Sequence, residues 1–263
     1  MKKGSKLLLF FRPIFVFISS TLTAISKFQQ SIKAFEMIDN GSVASFLSEF
    51  VTEQRRDKIN EILAQRTRYL TVLLEDIYQS QNASAVLRTC ECLGIQDVHI
   101  IENYNSYRIN PFVVKGSDKW LNIRKFNKSD NNSIDAVSDL KSKGYRIVAT
   151  SLREGSIGLS DLDLNKGKCA VVFGNEHMGV SESVMQKADE LLKIPMCGFT
   201  QSLNISVSAG IILYYLVQKL KQSDISRQLT ASEKEILYAE WLKCSVKNPQ
   251  MLINRLSEEL KNK

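Results

Sequence analysis

One stretch constrains the fold of this chain more than any other, residues 194–212, with the sequence IPMCGFTQSLNISVSAGII. It begins at the end of a largely apolar strand, LLKI. Pro195 then removes a backbone donor and ends regular pairing. After a polar loop, Asn204 opens a run of small and apolar residues, and Asn is a favoured helix N-cap. The pattern predicts a strand, a tight loop and a helix N-terminus. This is an ordinary βα connection that can also bind an anion or a polar ligand.

A second stretch, residues 169–182 with the sequence CAVVFGNEHMGVSE, begins as a buried strand and runs into a loop with two glycines. Gly174 and Gly179 permit a positive φ angle and the close approach of another backbone. Glu176 lies between them at the carboxyl edge of the strand, where open α/β sheets bind their ligands. The two glycines alone are a weak signal, because no Lys-Ser or Lys-Thr pair follows them to form a phosphate-binding loop.

A third stretch lies upstream, residues 70–102, with the sequence LTVLLEDIYQSQNASAVLRTCECLGIQDVHIIE. It predicts a strand, a polar turn, a helix over about 84–93 that ends at Gly94, and a second strand. Asn82 falls in the cap region of this helix, and Arg88 falls on an otherwise apolar face. A half-buried Arg on such a face is costly unless it is paired or used, so Arg88 is a candidate functional residue.

These three stretches, in this order, resemble the three motifs of the SPOUT-class RNA 2′-O-ribose methyltransferases of the TrmH type. The first motif, N-x-S-A-x-x-R-T, is matched by Asn82, Ser84, Ala85, Arg88 and Thr89. The second, F-G-x-E-x-x-G-[VI]-S, is matched by Phe173, Gly174, Glu176, Gly179, Val180 and Ser181. The third, I-P-M-x-G-x-x-x-S-L-N-[VI]-S-V, is matched by Ile194, Pro195, Met196, Gly198, Ser202, Leu203, Asn204, Ile205, Ser206 and Val207. The resemblance covers roughly residues 67–220.

The resemblance implies an α/β-knot fold, in which helices flank a mostly parallel sheet, a deep trefoil knot forms the C-terminal third and helical extensions lie at both ends. Trefoil knots are nearly absent from proteins, so no local pattern would suggest one. The chain would then comprise an apolar, basic leader or upstream extension, an N-terminal helical segment, the SPOUT methyltransferase domain and a C-terminal helical extension, at residues 1–36, 37–66, 67–221 and 222–263.

The resemblance further implies S-adenosyl-L-methionine as the cofactor, with contacts at Thr150, Gly174, Ile194, Met196 and Leu203. The reaction would be methyl transfer to a ribose 2′-hydroxyl, which is a poor nucleophile unless its proton is removed. In the family that task is given to the Arg of the first motif, here Arg88, which Asn82 would place. Glu176, Ser202 and Asn204 would orient Arg88, the substrate and the loop. Because guanidinium groups stay protonated in proteins, Arg88 could equally hold the adjacent phosphate and stabilise the developing alkoxide.

Within the family the chain looks most similar to the enzymes that methylate guanosine 18 in the D-loop of tRNA, because only a short helical segment precedes the first strand. The alternative is another RNA site, in 23S rRNA or the tRNA anticodon loop. A non-catalytic RNA-binding protein on the same scaffold is less consistent with the intact catalytic set. The family's site is shared between two subunits, which predicts a homodimer through the helix from Asn204 and the second-motif region. RNA contacts are carried over weakly to Arg66, Arg68 and Lys115.

The formal net charge of +7 suggests a nucleic-acid partner, but the distribution of charge weakens that argument. Residues 1–36 carry six basic residues against Glu36, so the rest of the chain carries only +2. This apolar and basic segment is similar to a secretory leader, which makes no sense for a tRNA enzyme. We therefore favour Met37 as the true start, with a transit peptide as the alternative. Because the apolar run is short and interrupted by Arg12-Pro13, we expect no stable membrane association and a cytoplasmic location.

Five cysteines are present, and none forms a C-x-x-C pair. The only imidazoles are those of His99 and His177. A structural zinc site is therefore not expected, and buried free thiols in a reducing compartment are the better interpretation.

Overall fold

A computed structural model of the chain describes residues 39–261. The segment 1–36 and the proposed start at Met37 lie outside the described residues. The described residues divide into two compact units, one formed by residues 39–57 together with 235–261 and the other by residues 58–234. Within the described residues, no helix is both long enough and apolar enough to cross a membrane.

The unit Lys58–Lys234 is built on one sheet of parallel strands, which among the described residues has the order β3-β2-β1-β6-β4-β7-β5. The strands are β1 Leu70–Glu75, β2 Asp97–Ile101, β3 Asn122–Phe126, β4 Arg146–Thr150, β5 Ile157–Gly158, β6 Cys169–Phe173 and β7 Glu190–Lys193. Every residue of β1 and β6 is buried. Their apolar runs are typical of parallel strands that are covered on both faces.

The helices of the described chain were numbered in chain order. They are α1 Asn40–Ser48, α2 Glu53–Leu63, α3 Ser80–Leu93, α4 Pro111–Val114, α5 Asn132–Ser142, α6 Glu182–Met185, α7 Ile205–Lys221, α8 Ala231–Ser245 and α9 Pro249–Lys261. Alternate residues of the strands face two apolar cores, because side chains of a strand point to opposite faces in turn. Val72 and Val171 face the core that contains α3 and α7, whereas Leu73 and Val172 face the core that contains α5 and α6.

The strand order departs from the chain order at the centre of the sheet. Strands β1, β2 and β3 follow one another towards one edge, and β6 lies between β1 and β4, with β7 on the other side of β4. Ligands of open α/β sheets bind outside the carboxyl ends of the strands at such a change of direction. The loops that follow β1, β4, β6 and β7 share this edge, and all three sequence motifs lie in or next to these loops.

Local sequence accounts for several helix ends, as predicted. Asn204 caps α7, since its Oδ1 accepts a hydrogen bond from the backbone N–H of Ser206 at 2.8 Å. Gly94 ends α3 in the left-handed conformation, with φ 81°. Before α8, the backbone N–H of Thr230 donates to Glu233 at 2.8 Å, and that of Glu233 donates to the Thr230 hydroxyl at 3.2 Å. This reciprocal pair is a capping box.

Helix α3 begins at Ser80 and not near Ser84, so Asn82 lies inside its first turn. The residue before the helix, Gln79, makes no side-chain cap hydrogen bond. The backbone N–H groups of Tyr78 and Gln79, just before the helix, donate instead to a carboxylate from the loop after β6. A cap supplied from so far along the chain leaves no local sequence signal, which explains the wrong boundary.

The other unit contains helices from both ends of the described chain. Helix α1 packs against α9, and Asp39 caps α1 by accepting a hydrogen bond from the backbone N–H of Ser42 at 2.7 Å. Helices α1 and α2 lie within the predicted N-terminal helical segment, residues 37–66, and α8 and α9 lie within the predicted C-terminal helical extension, residues 222–263. That the two ends form one unit was not predicted from the sequence.

The cysteines differ from the prediction. Cys90 and Cys169 are buried, but Cys92, Cys197 and Cys244 are exposed. The prediction of buried thiols is therefore wrong for these three: membership of a helix does not tell which face Cys92 or Cys244 takes, and Cys197 lies in the loop after β7. Burial raises the pKa of Cys169 to about 11, which keeps this thiol protonated and unreactive. Within the described residues, no group of three or more His, Cys, Asp or Glu side chains could hold a metal ion.

Candidate active site

The loops at the carboxyl edge of the sheet enclose a cavity of about 830 Å³. Its walls come from the loops after β1, β4, β6 and β7 and from the start of α7. They bring together most of the predicted site residues: Asn82, Thr150, Gly174, Glu176, Ile194, Met196, Ser202, Leu203 and Asn204. The predicted residues outside these walls are Arg66, Arg68, Arg88 and Lys115.

The loop after β6 folds back on itself, and this explains its two glycines. Asn175 and Gly179 exchange two backbone hydrogen bonds, of 3.0 and 2.8 Å between N and O. A Cβ atom at Gly174 would lie 2.1 Å from the carbonyl carbon of Gly179 and 2.1 Å from the nitrogen of Val180. Gly179 itself has φ +70°, a conformation that other residues rarely adopt. Each glycine is thus required for a different reason, and together they hold Glu176 at the tip of the loop.

Glu176 binds the N-terminus of α3. One carboxylate oxygen accepts a hydrogen bond from the backbone N–H of Tyr78 at 2.8 Å, and the other accepts from the backbone N–H of Gln79 at 3.1 Å and from Asn82 Nδ2 at 2.8 Å. Desolvation alone would raise the pKa of Glu176, but the hydrogen bonds from Asn82 and the backbone outweigh it and lower the pKa below its usual value. Glu176 is therefore an ionised structural cap, with both oxygens occupied by donors.

A continuous series of side-chain hydrogen bonds joins the three motifs. From Glu176 it passes to Asn82, whose Oδ1 accepts a hydrogen bond from Asn204 Nδ2 at 3.2 Å. Asn204 in turn accepts from the Ser206 hydroxyl at 2.6 Å. Ser202 is exposed beside this series and makes no side-chain hydrogen bond within the described residues, so its hydroxyl can bind a substrate.

Arg88 lies on another side of α3 from Asn82. Six residues of α-helix correspond to about 9 Å of rise and about 240° of rotation. The Arg88 side chain is exposed and lines a separate cavity of about 440 Å³, which Gly210 and Tyr214 of α7 also line. Within the described residues it makes no ion pair or hydrogen bond. The prediction that Arg88 is half-buried, and that Glu176, Ser202 and Asn204 orient it, is therefore wrong for a single chain.

Arg66 is not available to RNA. Its side chain is only 1% exposed, and its guanidinium group forms an ion pair with Glu91 at 2.9 Å and donates to the Glu91 carbonyl oxygen at 3.2 Å. It ties the segment before β1 to the end of α3. The prediction of an RNA contact at Arg66 is wrong, because the sequence does not reveal that this charge is buried.

The other two predicted RNA contacts differ in their surroundings. Arg68 is 22% exposed and forms ion pairs with Asp97 at 3.1 Å and with Glu233 at 3.0 Å, which balance its charge. Lys115 is exposed at the end of α4, with φ 52°, and makes no ion pair within the described residues. A contact between Lys115 and RNA therefore stays a prediction that the geometry permits. A contact between Arg68 and RNA also stays a prediction, but a phosphate would have to compete with Asp97 and Glu233 for the guanidinium group.

Two acidic residues at the end of β1 hold the surrounding loops, and neither was predicted from the sequence. Buried Glu75 accepts hydrogen bonds from the Ser133 hydroxyl at 2.6 Å and from the Ser181 backbone N–H and hydroxyl at 2.8 and 2.6 Å. Asp76, with φ 49°, accepts from the backbone N–H groups of residues 103–105 at 2.7, 2.9 and 3.2 Å. A pair of acids directly after an apolar strand was the available signal, because buried carboxylates need several donors.

Comparison with known proteins agrees with this geometry. Residues 69–214 match the SpoU rRNA Methylase family. A tRNA (guanosine(18)-2′-O)-methyltransferase of Borreliella burgdorferi is 46% identical over 211 residues, 80% of this chain and 94% of that protein. One of Thermus thermophilus is 37% identical over 194 residues, 73% of this chain and 97% of that protein. The fold is also similar to the crystal structure of the Aquifex aeolicus TrmH/SpoU tRNA modifying enzyme, with a TM-score of 0.66 and 31% identity, over 74% of this chain and 98% of that one.

The chain therefore belongs to the SpoU rRNA Methylase family. The matched region includes all three sequence motifs and every predicted site residue that lines the large cavity. Within the family, the relatives just described carry the more particular name tRNA (guanosine(18)-2′-O)-methyltransferase, and the match extends over nearly their whole length. The predicted fold class, a parallel sheet flanked by helices, is confirmed.

Proposed function

We propose that this chain is an enzyme that transfers a methyl group from S-adenosyl-L-methionine to the ribose 2′-hydroxyl of guanosine 18 in the D-loop of tRNA. The observation that carries the proposal is the hydrogen-bonded series Glu176–Asn82–Asn204, which joins three motifs from distant parts of the sequence at one cavity. The relative from Borreliella burgdorferi, named for this reaction, aligns over 94% of its length. Such a match supports both the reaction and the substrate.

The residues around the cavity fit the proposed cofactor. A volume of about 830 Å³ lies within the range of small-molecule and cofactor sites. Ile194, Met196 and Leu203 are half-buried and offer an apolar wall to a flat purine ring. At Gly174, any side chain would fill the narrow space beside the folded loop. Thr150 donates a hydrogen bond to the Val172 carbonyl at 2.9 Å and fixes the end of β4. S-adenosyl-L-methionine, when bound, supplies an electrophilic methyl group on a sulfonium.

The side chains of this site would bind and activate the ribose. Ser202 and the amide of Asn204, at the N-terminus of α7, offer polar groups to the ribose and its phosphate. The 2′-hydroxyl oxygen releases its proton to solvent water as it forms the new bond to carbon, so negative charge that develops on the oxygen needs a stabilising group. Arg88 is the proposed group, because a planar guanidinium can hold a phosphate and stabilise an alkoxide. Since guanidinium groups stay protonated, this role is favoured over that of a base.

A homodimer would bring Arg88 to such a site. Along the exposed side of α7, beside the cavity that Arg88 lines, several apolar side chains are 39% to 58% exposed: Val207, Ile211, Tyr214 and Tyr215. An apolar stripe of this kind is typical of a surface that binds another protein. We propose that two chains pair through this side of α7, and that Arg88 of each chain completes the cavity of the other.

Two further features belong to this proposal. The position of β6 between β1 and β4, with β7 beyond β4, supports the trefoil knot that the family resemblance implies. A cytoplasmic location follows from the proposed substrate, because tRNA is the molecule to be modified.

The proposal is tested by incubating the purified full chain with unmodified tRNA and labelled S-adenosyl-L-methionine, followed by nucleoside mass spectrometry and mapping. We expect 2′-O-methylguanosine at position 18. Methylation in the anticodon loop or in 23S rRNA would keep the reaction and replace the substrate. A protein that binds RNA but has no affinity for the cofactor in calorimetry would be the non-catalytic binder instead.

The role of Arg88 is tested with two variants in the same assay. Arg88→Ala should abolish methylation and leave cofactor affinity at the wild-type value, because the wall proposed for the cofactor is formed by Ile194, Met196 and Leu203 and not by Arg88. Arg88→Lys keeps the charge but loses the planar pair of donors, so it should also be severely impaired. Near wild-type turnover by Arg88→Lys would remove Arg88 from the chemistry.

A further inference from the structure

We infer that Tyr78 and His177 form an aromatic platform on which one nucleobase of the RNA substrate stacks. The inference rests on the proposed function, and it adds a substrate contact at the same site. The two rings lie 5.7 Å apart between centroids and meet edge to face at 64°. Tyr78 is 61% exposed and His177 is also exposed. Within the described residues neither side chain makes a hydrogen bond, so both rings are free to meet a ligand.

The backbone beneath both rings is held firmly. Tyr78 donates its backbone N–H to Glu176 at 2.8 Å, and His177 donates its backbone N–H to Asn175 Oδ1 at 2.9 Å. Asn175 is fixed in turn by a hydrogen bond of 2.7 Å from its Nδ2 to the Asp76 carbonyl oxygen. The rings are therefore presented by a preorganised frame, which lowers the entropic cost of binding a flat partner. Because these bonds involve only backbone groups of Tyr78 and His177, the rings can be replaced without breaking them.

The position of the Tyr78–His177 pair indicates which part of the RNA substrate the two rings would contact. His177 lines the large cavity together with Asn82 and Glu176, and Tyr78 is in direct contact with Glu176. The apolar wall proposed for the cofactor is formed by other residues of the cavity, from the loop after β7. A nucleotide whose ribose enters beside Asn82 would therefore place a base at the rim, near the exposed rings. Exposed aromatic side chains bind single-stranded RNA by stacking on its bases.

Stacking accepts any base, because every base has a π face. The pair is therefore expected to supply affinity for the RNA and not the choice of guanosine. This separates it from residues that hold the cofactor or stabilise charge, whose loss would lower the maximal rate or the cofactor affinity.

The test compares Tyr78→Ala, His177→Ala and Tyr78→Phe in the full chain. We expect each Ala variant to raise the KM and the Kd for tRNA by about 5- to 100-fold, the range of one base–aromatic stack. The kcat at saturating tRNA and the Kd for S-adenosyl-L-methionine should stay at the wild-type values. Tyr78→Phe should behave as wild type, because it keeps the ring. Tyr104→Ala is the matched control, since Tyr104 is 93% exposed but lies outside the cavity walls.

The outcomes separate this inference from the proposed function. If the wild-type chain binds tRNA but does not methylate guanosine 18, the proposed function fails, and the Kd for tRNA still tests the platform. Ala variants that bind tRNA as tightly as wild type would overturn the inference. So would a loss of tRNA affinity in Tyr78→Phe or Tyr104→Ala as large as that in the Tyr78→Ala and His177→Ala variants. Weakened cofactor binding, or a change of oligomeric state in gel filtration, would assign the rings to another role and likewise overturn it.

Discussion

Gly174 is the residue at which one added methyl group should do most damage. Its Cβ would lie 2.1 Å from the backbone of Gly179 and Val180, and backbone atoms cannot move aside as a flexible side chain can. We expect Gly174→Ala to lower the free energy of unfolding by about 2 kcal/mol or more, as overpacking does. Because the displaced loop carries Glu176, affinity for S-adenosyl-L-methionine should fall as well. Urea unfolding and calorimetry measure the two effects.

Another glycine of the motifs, Gly198 of the third motif, provides the control. A Cβ at Gly198 would meet nothing closer than Thr200 N at 3.9 Å, and no positive φ is required there. Gly198→Ala should therefore retain wild-type stability. If both variants were equally destabilised, membership of a motif and not crowding would be the cause, and the explanation given for Gly174 would be wrong.

His99 should make stability depend on pH. Burial lowers the pKa of this side chain from 6.5 to about 4, and among its charged neighbours Asp97 and Asp139 raise the pKa while Lys143 and Arg124 lower it. Between these values the unfolded chain binds more protons than the folded one, so stability falls as the pH is lowered from about 6.5 to 4. The loss attributable to His99 is roughly 3 kcal/mol at pH 4.

Urea unfolding of wild type and His99→Leu across this pH range measures the effect. The variant should lose less stability on acidification than wild type, by the amount attributed to His99. His177→Gln is the control for the loss of an imidazole from an exposed position. Parallel pH profiles for wild type and His99→Leu would contradict the prediction.

For single residues, the sequence patterns identified which residues matter more reliably than they identified the surroundings of those residues. Asn204 was predicted as a helix cap and is one, because capping depends on neighbours within the next turn. Arg66 and Arg88 were both misplaced, the first being buried and the second exposed. Exposure depends on what other elements cover, which a local pattern does not contain. Asp76 was missed for the same reason, since its donors come from residues 103–105.

Among the elements, α3 depends on the loop after β6 for its N-terminal cap. Glu176 accepts two backbone hydrogen bonds there, and its negative charge also favours this end of the helix. Glu176→Gln keeps the shape but loses the charge and one acceptor, so we expect the free energy of unfolding to fall by about 1 kcal/mol at neutral pH. Thermal or urea unfolding measures this loss.

The pH dependence of the stability difference between wild type and Glu176→Gln makes the test sharper. Because the pKa of Glu176 is held below its usual 4.5, its contribution is present above that pH and is lost as the pH falls through the folded value. The difference between wild type and Glu176→Gln should therefore shrink in acid. Glu182→Gln is a suitable control: Glu182 is bonded only to exposed Arg153 and Gln186, so little change is expected at any pH. A constant difference across the pH range would rule out the charged cap.

Element types followed well from periodicity, and their arrangement did not. The unit from β1 through α3 to β2 was predicted as strand, helix and strand and is found so, apart from the start of the helix, because each element has a clear apolar pattern. The short edge strand β5, by contrast, was not predicted from the sequence. Its two residues pair with β7, and so short a strand has no period of its own.

At the scale of the whole molecule, the family resemblance supplied what physical patterns could not. Nothing in the sequence of β6 says that it inserts between β1 and β4, because pairing partners far apart in sequence are chosen by the complete fold. The burial of β6 was predicted from its apolar run and is confirmed, whereas the parallel arrangement was implied only by the resemblance. The order of the sheet, and hence the meeting of the three motifs at one edge, was available only through the resemblance.

The proposed dimer makes a prediction that only a two-chain site can satisfy. Arg88→Ala and Asn204→Ala should each be inactive, because each removes one half of every composite site. When the two variants are mixed, unfolded together and refolded, a mixed dimer contains one site with an intact Arg88 from one chain and an intact cavity from the other. Methylation should therefore return to about a quarter of the wild-type rate if chains pair at random.

The alternative arrangement gives a different result. If Arg88 served the cavity of its own chain, every site in the mixed dimer would lack one group, and no activity would return. Refolded wild type and each refolded variant alone calibrate the recovery, and gel filtration confirms that the mixture is dimeric. Restored methylation would explain why Arg88 lies on a different side of α3 from Asn82 and lines a separate cavity beside exposed Tyr214. The apolar side of α7 would then hold the two chains together, and α3 would carry Arg88 to the cavity of the partner.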